Sequence, residues 1–491
     1  MKSKSIIRIS LIMAASISVI LLVIYFLFAR EPSFSNQEFE VLFPEMASFV
    51  TDTAEVSRAL KDLPANVTYA EHVGPIIQQN CQPCHRPGQV APFSLLTYQD
   101  ARIWSREIAY YTKARIMPPW KAAHGFGKFK NERRLDEREI ALVSRWADSG
   151  APAGDLNKLP PNPLFADEWS LGEPDLILEM PVVYELGPEG EDEFRDFVIP
   201  TNFEKDVYVK AVDIQPGNRK IVHHVTVRID TTGKARARDA ADPEPGFTAV
   251  MLNRSGTQPN SIFHKAKTKL GALLKKLRPS NPPSHPIMNK PNNLGGWVPG
   301  MSPFVLPDGM GTLLPKGGDI VLNMHYYRSG RTESDRTRVG LYFLEEPTPI
   351  RVYEFVVNNS DFTIPAGATR YGVPISYQLE EDVYLVAVSP HMHLLGSEMK
   401  AIATLPTGEA VPLIWADRYD FNWQELYYYQ ELQFLPKGSE IKVISYYDNS
   451  AGNPLNPNRP PQPVSFGYRS TDEMCNLYFR YIRASDYKQT E

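Results

Sequence analysis

At about residue 166 the apolar residues stop recurring at helical spacing and begin to alternate, and that change of period splits the chain into two fold classes. Beyond it, Val207, Val209 and Ala211, then Ile221 to Val227, Ile320 to Tyr327, Val383 to Val388 and Glu440 to Tyr447 read as strands. Gly and Pro punctuate them, as antiparallel sandwiches require, and Pro is 43 of 491 residues. Glu345-Glu346-Pro347-Thr348-Pro349 is the expected break between two β domains of similar size, 166–345 and 346–491. No repeat at solenoid spacing is evident.

Before the change, residues 66–158 read as a helical domain. Asp136 and Glu139 form a capping box, and Ile140, Val143, Trp146 and Ala147 follow at helical spacing until Gly150 and Pro152 stop the helix. The Pro-rich stretch Leu159 to Pro163 links it to the β region. Further upstream, Lys2, Lys4 and Arg8 precede an uncharged run from Ile9 to Ala29. At about 1.5 Å per residue this run spans a hydrocarbon core of about 30 Å. It ends in bulky residues rather than a small-x-small cleavage site, so it is expected to be an uncleaved anchor, residues 1–30, followed by a linker, 31–65. The cations before it place everything downstream on the extracytoplasmic, periplasmic face of the inner membrane.

Charge excludes one class of function. A formal net charge of −5 spread over 491 residues offers no dominant basic surface for nucleic acid. One local exception is Leu270, Leu273, Leu274 and Leu277 at i, i+3, i+4, i+7 among Lys265, Lys267, Lys269, Lys275, Lys276 and Arg278, inside the insertion 256–296. It reads as a short helix packed on a sandwich with solvated lysines. An anionic bilayer and an electron-donor protein are its other readings.

Cys81-Gln82-Pro83-Cys84-His85 is a C-x-x-C-H sequence, in which two thiols add to haem vinyl groups and the imidazole reaches the iron. A sixth ligand is expected downstream: Met117, in Arg115-Ile116-Met117-Pro118-Pro119-Trp120, with His124 as competitor. Residues 66–158 resemble the cytochrome c family, which implies one covalently bound haem c.

Five of the ten histidines fall in three strand-like settings of the β region. His391-Met392-His393 directs two imidazoles to one face of a strand. Adjacent His223 and His224 would face opposite ways on a regular strand, so a shared ion requires a strand end or bulge there. His325 could complete a three-imidazole site, for which zinc is the structural rival.

Residues 170–485 resemble the copper type II ascorbate-dependent monooxygenase family through His223-His224, His325-Tyr326, His391-Met392-His393-Leu394-Leu395-Gly396 and Asp472-Glu473-Met474-Cys475-Asn476-Leu477-Tyr478. The resemblance implies two sandwiches facing across an open cleft, and two copper ions. His223, His224 and His325 would hold the electron-storing copper. His391, His393 and Met474 would hold the copper where O2 and substrate meet, beside Asn476 and Tyr478. A thioether with two imidazoles suits Cu(I). Two departures stand out. Once haem is attached only Cys475 remains, so no internal disulfide can brace the sandwiches. Where peptide-hydroxylating members carry an Arg two residues before the H-x-H, this chain has Ser389, which puts peptide amidation in doubt.

The expectation is thus a membrane anchor helix, an all-α cytochrome c domain and two antiparallel jelly-roll-like sandwiches. Together they would form a monooxygenase taking O2, an unidentified small organic substrate and electrons from a respiratory-chain or cytochrome donor. A haem/copper electron-transfer or copper-handling protein without oxygenase activity is the alternative. A membrane-tethered binding module is a third.

Overall fold

The computed structural model describes residues 61–165, 168–190, 192–248, 293–345, 349–467 and 469–488. All described residues lie in the unit Thr51–Glu491. The expected anchor, nearly all of the linker and the basic segment 265–278 lie outside the described residues. Among those described, no helix is long and apolar enough to cross a membrane.

Residues 61–165 form a small helical unit. A π-helical turn Tyr69–Val73 runs into the helix Gly74–Asn80, and two short helices, Tyr98–Ile103 and Ser105–Lys113, follow. The capping box is present as expected: Asp136 Oδ1 accepts from Glu139 N at 2.7 Å and Glu139 Oε2 from Asp136 N at 2.9 Å, opening the helix Glu137–Asp148. Trp146 on that helix is fully buried against Tyr69, with ring centroids 5.8 Å apart, and its indole donates to Pro152 O. Val73, Ile77, Leu95 and Val143 complete the core.

The rest is β. A five-stranded sheet runs in the spatial order Phe247–Thr248, Glu193–Pro200, Asp319–Tyr326, Val222–Asp230, Asn293–Trp297. A four-stranded sheet runs Tyr371–Gln378, Glu440–Tyr447, Gly396–Thr404, Ala410–Ala416. Both share one eight-stranded partner: Leu176–Glu179, Arg338–Phe343, Val207–Gln215, Met310–Leu314, Ile350–Asn359, Cys475–Arg483, Val383–His391, Tyr427–Leu435. One apolar core lies under each end of the long sheet, one around Val225, Leu322 and Tyr326, the other around Leu385, Val443 and Phe479.

Two findings differ from the sequence reading. The sandwiches are not self-contained, because Ile350, Arg351 and Val352 pair in parallel with Met310, Gly311 and Thr312 and join the halves into one sheet. The backbone groups that Met310–Leu314 would expose as an edge are satisfied by the next half of the chain. Nor is the helical unit merely linked to the β region. Trp120, Ala122 and Phe129 are buried in the core of the second sandwich. Ala123 N donates to Trp415 O at 2.7 Å, Lys130 N to Tyr428 O at 2.8 Å and Gln430 N to Lys128 O at 2.9 Å. The segment carrying Met117 and His124 is therefore stitched to Ala410–Ala416 and Tyr427–Leu435, the latter paired with the strand that ends in His391.

Candidate metal centres

A bulge puts His223 and His224 on the same side of their strand. Pairing between Val222–Asp230 and Asp319–Tyr326 sets Val222 opposite Tyr326 and His224 opposite His325, leaving His223 as the extra residue. This is the irregularity that an adjacent pair of ligands requires. The three Nδ1 atoms converge, His223 to His325 at 3.0 Å and His224 to each of the others at 3.3 Å. Three nitrogens bonded to one ion at about 2.0 Å with tetrahedral angles stand about 3.3 Å apart. The triangle therefore has the size of a metal site, and the three residues could hold a metal ion.

The outward nitrogens fix which way the lone pairs point. His223 Nε2 donates to Asn422 Oδ1 at 3.2 Å and His325 Nε2 to Asp192 Oδ2 at 3.0 Å. These two rings then carry the proton outside and the lone pair inside, and the Asp192 carboxylate fixes the orientation of the His325 ring. His325 is 1% exposed and its ring stacks on Phe194 with centroids 4.0 Å apart. Sequence reading missed Asp192 and Asn422, because nothing local marks either as a partner of a histidine 133 or 199 residues away.

The second group gathers at the ends of two paired strands. His391 closes Val383–His391 opposite Asn476, and His393 lies just beyond, with the two imidazole centroids 5.2 Å apart. Gln424 Oε1 holds His391 Nδ1, and Asp472 O holds His393 Nδ1 at 3.1 Å, so both rings keep Nε2 for a ligand. Glu473 ties the group together: its carboxylate accepts from His393 N at 2.8 Å, Leu395 N at 2.6 Å and Met474 N at 3.2 Å. Burial pushes that carboxyl up to about 8 while the backbone N–H groups pull it down. Met474 is buried, and Asn476 Nδ2 reaches both its Sδ, at 3.4 Å, and the Tyr478 hydroxyl, at 3.2 Å. Ser389, in the place of the missing cation, donates to Glu425 O at 3.0 Å. Cys475 is a buried free thiol that donates to Ser445 Oγ at 3.2 Å.

The open cleft expected between the two groups is occupied. The Phe421 ring centroid stands 6.1 Å from His223, 6.4 Å from His325 and 5.8 Å from His393. His391 and His393 are close enough to act on His224, whose protonation burial holds well below the ordinary imidazole range, with His325 and His223 adding to the effect. The segment 420–425 shows no period in sequence that would announce such a position.

These surroundings set the pH response. Burial, then the neighbouring His325, lowers His223 to about 4, and burial, then His391, lowers His393 to about 3. Protons compete with a metal only below the folded pKa, so the H-x-H group, both of whose imidazoles burial lowers, is expected to bind almost equally well from pH 7.5 down to about 5. A Zn2+ competition titration at a series of pH values checks this. Affinity that already declines near pH 6.5, where an ordinary imidazole titrates, would contradict it.

The upstream motif lies in the helical unit. Cys81 and Cys84 are free thiols, and burial raises both, Cys81 to about 12. His85 packs on Phe93 at 4.6 Å, and Phe93 stacks on Trp104 at 4.4 Å. The buried Nδ1 of His85 has no full hydrogen bond, although the backbone of Phe93 approaches it. Met117 is 42% exposed, whereas His124 is engaged by Glu132 at 3.1 Å.

Residues 359–490 match the family model described as copper type II ascorbate-dependent monooxygenase, C-terminal domain. The match holds His391, His393, Met474, Asn476, Tyr478 and the 420–425 segment; the three-imidazole cluster lies outside it. It supports copper as the metal and an oxidoreductase of the monooxygenase kind. Among solved structures, that of infectious bursal disease virus Gx strain is 10% identical over 68% of this chain and 77% of its own, with a TM-score of 0.18. A Paenibacillus xanthan lyase is 10% identical over 69% of this chain and 29% of its own, with a TM-score of 0.14. Overlap at that level carries no argument.

Proposed function

We propose that the chain is a membrane-anchored copper monooxygenase that hydroxylates an organic substrate with O2, drawing electrons through a haem c bound at Cys81, Cys84 and His85. The apolar run Ile9–Ala29 tethers it, with the catalytic part on the extracytoplasmic side. The observation that carries the reading is the inward-facing Nδ1 triangle of His223, His224 and His325, at 3.0–3.3 Å, next to an H-x-H within the matched segment.

The residues present fit the groups they are asked to hold. Three converging imidazoles, two of them with their protons held outside, suit a borderline metal, and two imidazoles with a thioether suit Cu(I). Two free thiols and a buried imidazole nitrogen without a full hydrogen bond suit a covalently attached haem, with Met117 as the sixth ligand. Copper cycling between +1 and +2 supplies one-electron storage and the reduction of O2.

The side chains do the rest. Asp192 and Asn422 hold the protons of His325 and His223 outside the cluster, and Gln424 and Asp472 O orient His391 and His393. Asn476 positions the Met474 thioether and the Tyr478 hydroxyl on one side of the second group. Phe421 fills the space between the groups and limits the water there. The net reaction adds one atom of O2 to a C–H bond and releases the other as water, consuming two electrons and two protons. Turnover under ¹⁸O2 with a panel of small amines, aromatics and acylated compounds tests it. Label in a hydroxylated product is the expected result. Haem oxidation with no labelled product from any of them would favour an electron-transfer or copper-handling role.

A further inference from the structure

One short segment approaches all three redox-type groups. In Asp420-Phe421-Asn422-Trp423-Gln424-Glu425, Asn422 holds His223, Gln424 holds His391, and Phe421 lies against both histidine groups. Trp423 points the other way, toward the C-x-x-C-H. A Cβ placed on Gly300 would stand 2.8 Å from Cys84 Sγ and 2.9 Å from Trp423 Cη2, so thiol and indole edge flank the same bare α-carbon. Gly300 has φ +78°, a conformation glycine adopts without strain, and its missing side chain leaves room for both groups to approach.

The junction is braced. The Trp423 indole N–H donates to Glu425 Oε2 at 3.3 Å, and that oxygen accepts from Arg133 of the helical unit at 2.6 Å. The Arg133 guanidinium lies over the Trp423 ring at 5.6 Å. Glu425 is buried, so its pairing with Arg133 fixes the junction rather than decorating a surface. A second tie runs alongside: Arg219, four residues before His223, donates to Gln89 Oε1 at 2.9 Å, just past the C-x-x-C-H.

We propose that Trp423, continued by Asn422 to His223, is the electron bridge from the haem end of the helical unit to the three-imidazole cluster. The inference rests on the function proposed above. The transfer is of one electron, oxidising haem iron by one equivalent and reducing copper in the cluster by one. No bond is made or broken, and no proton need accompany it. The indole acts as a positioned medium between donor and acceptor, and is not itself required to be oxidised.

The test uses the full chain with haem and copper loaded. Ferrous haem is generated by a flash, its reoxidation is followed by absorbance, and the loss of the Cu(II) signal is followed by electron paramagnetic resonance. Trp423→Leu is expected to slow the transfer by at least about tenfold, since small displacements of reacting partners carry large kinetic costs. Trp423→Phe, which keeps a shorter aromatic ring, is expected to fall between it and the parent, and it decides the matter if the leucine variant does not fold. Haem and copper contents and both reduction potentials should be unchanged, which a merely structural role would not preserve alongside a slower rate. Equal rates in the parent and either loaded variant overturn the bridge. A parent protein that takes up no covalent haem, or no copper at the cluster, removes the function on which the bridge rests, and this is seen before any kinetics are run.

Discussion

His325→Ala is expected to strip metal from the three-imidazole cluster and to abolish coupled turnover. His325 is the buried corner of the triangle, 1% exposed and within 3.3 Å of both other Nδ1 atoms. Its loss leaves two donors where three were set at metal-site separation. Losing an outer partner of a ligating histidine costs about 10–100-fold in affinity, and losing the ligand itself costs more. Copper per chain should fall by one equivalent, with the second group still loaded. Because His325 also stacks on Phe194, alanine removes packing as well, and Asp192→Asn separates the two effects. Asp192 is 46% exposed, and an amide oxygen still accepts the Nε2 proton without the charge. Affinity at that site alone should drop by about tenfold, near the low end for an outer partner. Competition titration with a Cu(I) chelator measures both variants. Two tightly held coppers in His325→Ala would refute the assignment of the cluster.

Much of this frame was legible in the residues, and the part that was not has a common cause. The strands at 207–215, 222–230, 319–326, 383–391 and 440–447 follow from alternation, which is local. The helix Glu137–Asp148 follows from a cap and a period contained in twelve residues. The histidines could be picked out by type, and the resemblance implied that His223, His224 and His325 converge, but residue spacing alone could not derive the bulge that lets them do so. His223 leaves the regular ladder only because His224, not His223, pairs with His325, and that register is decided a hundred residues away. Residues 345–349 carry the composition of a linker, which is the same whether the sheet ends there or continues by parallel pairing. Trp120, Ala122 and Phe129 looked like part of the helical unit, yet they are buried in another core. The segment 420–425 is aperiodic and polar-aromatic, so its place at the junction is visible only once three distant parts of the chain are brought together. What sequence marks well is which chemistry is carried; the second layer that orients it belongs to tertiary structure.

That second layer is tested most severely at Glu473. Its carboxylate accepts the backbone N–H groups of His393, Leu395 and Met474, which fixes the turn after the H-x-H to the turn that presents the thioether. Glu473 is fully buried, so no water replaces it when it is truncated. Three buried donors would lose their acceptor at about 1–3 kcal/mol each, and Glu473→Ala is expected to cost about 3–5 kcal/mol locally after relaxation. The loss should appear as faster amide exchange at residues 392–396 and 473–475, with the distant Nδ1 triangle intact. Metal should therefore leave the second group and stay in the first, the reverse of the His325→Ala pattern. Glu473→Gln is instructive because it keeps the shape. One oxygen can still accept, but the NH2 group faces N–H donors, so part of the cost must remain. If Glu473→Ala holds both metals with parent affinity, the strand ends alone position His393 and Met474 and the carboxylate is a bystander. If it loses both, the two groups fold as one unit across Phe421, and the separate electron-storing and substrate-facing roles that the resemblance implies would need to be merged.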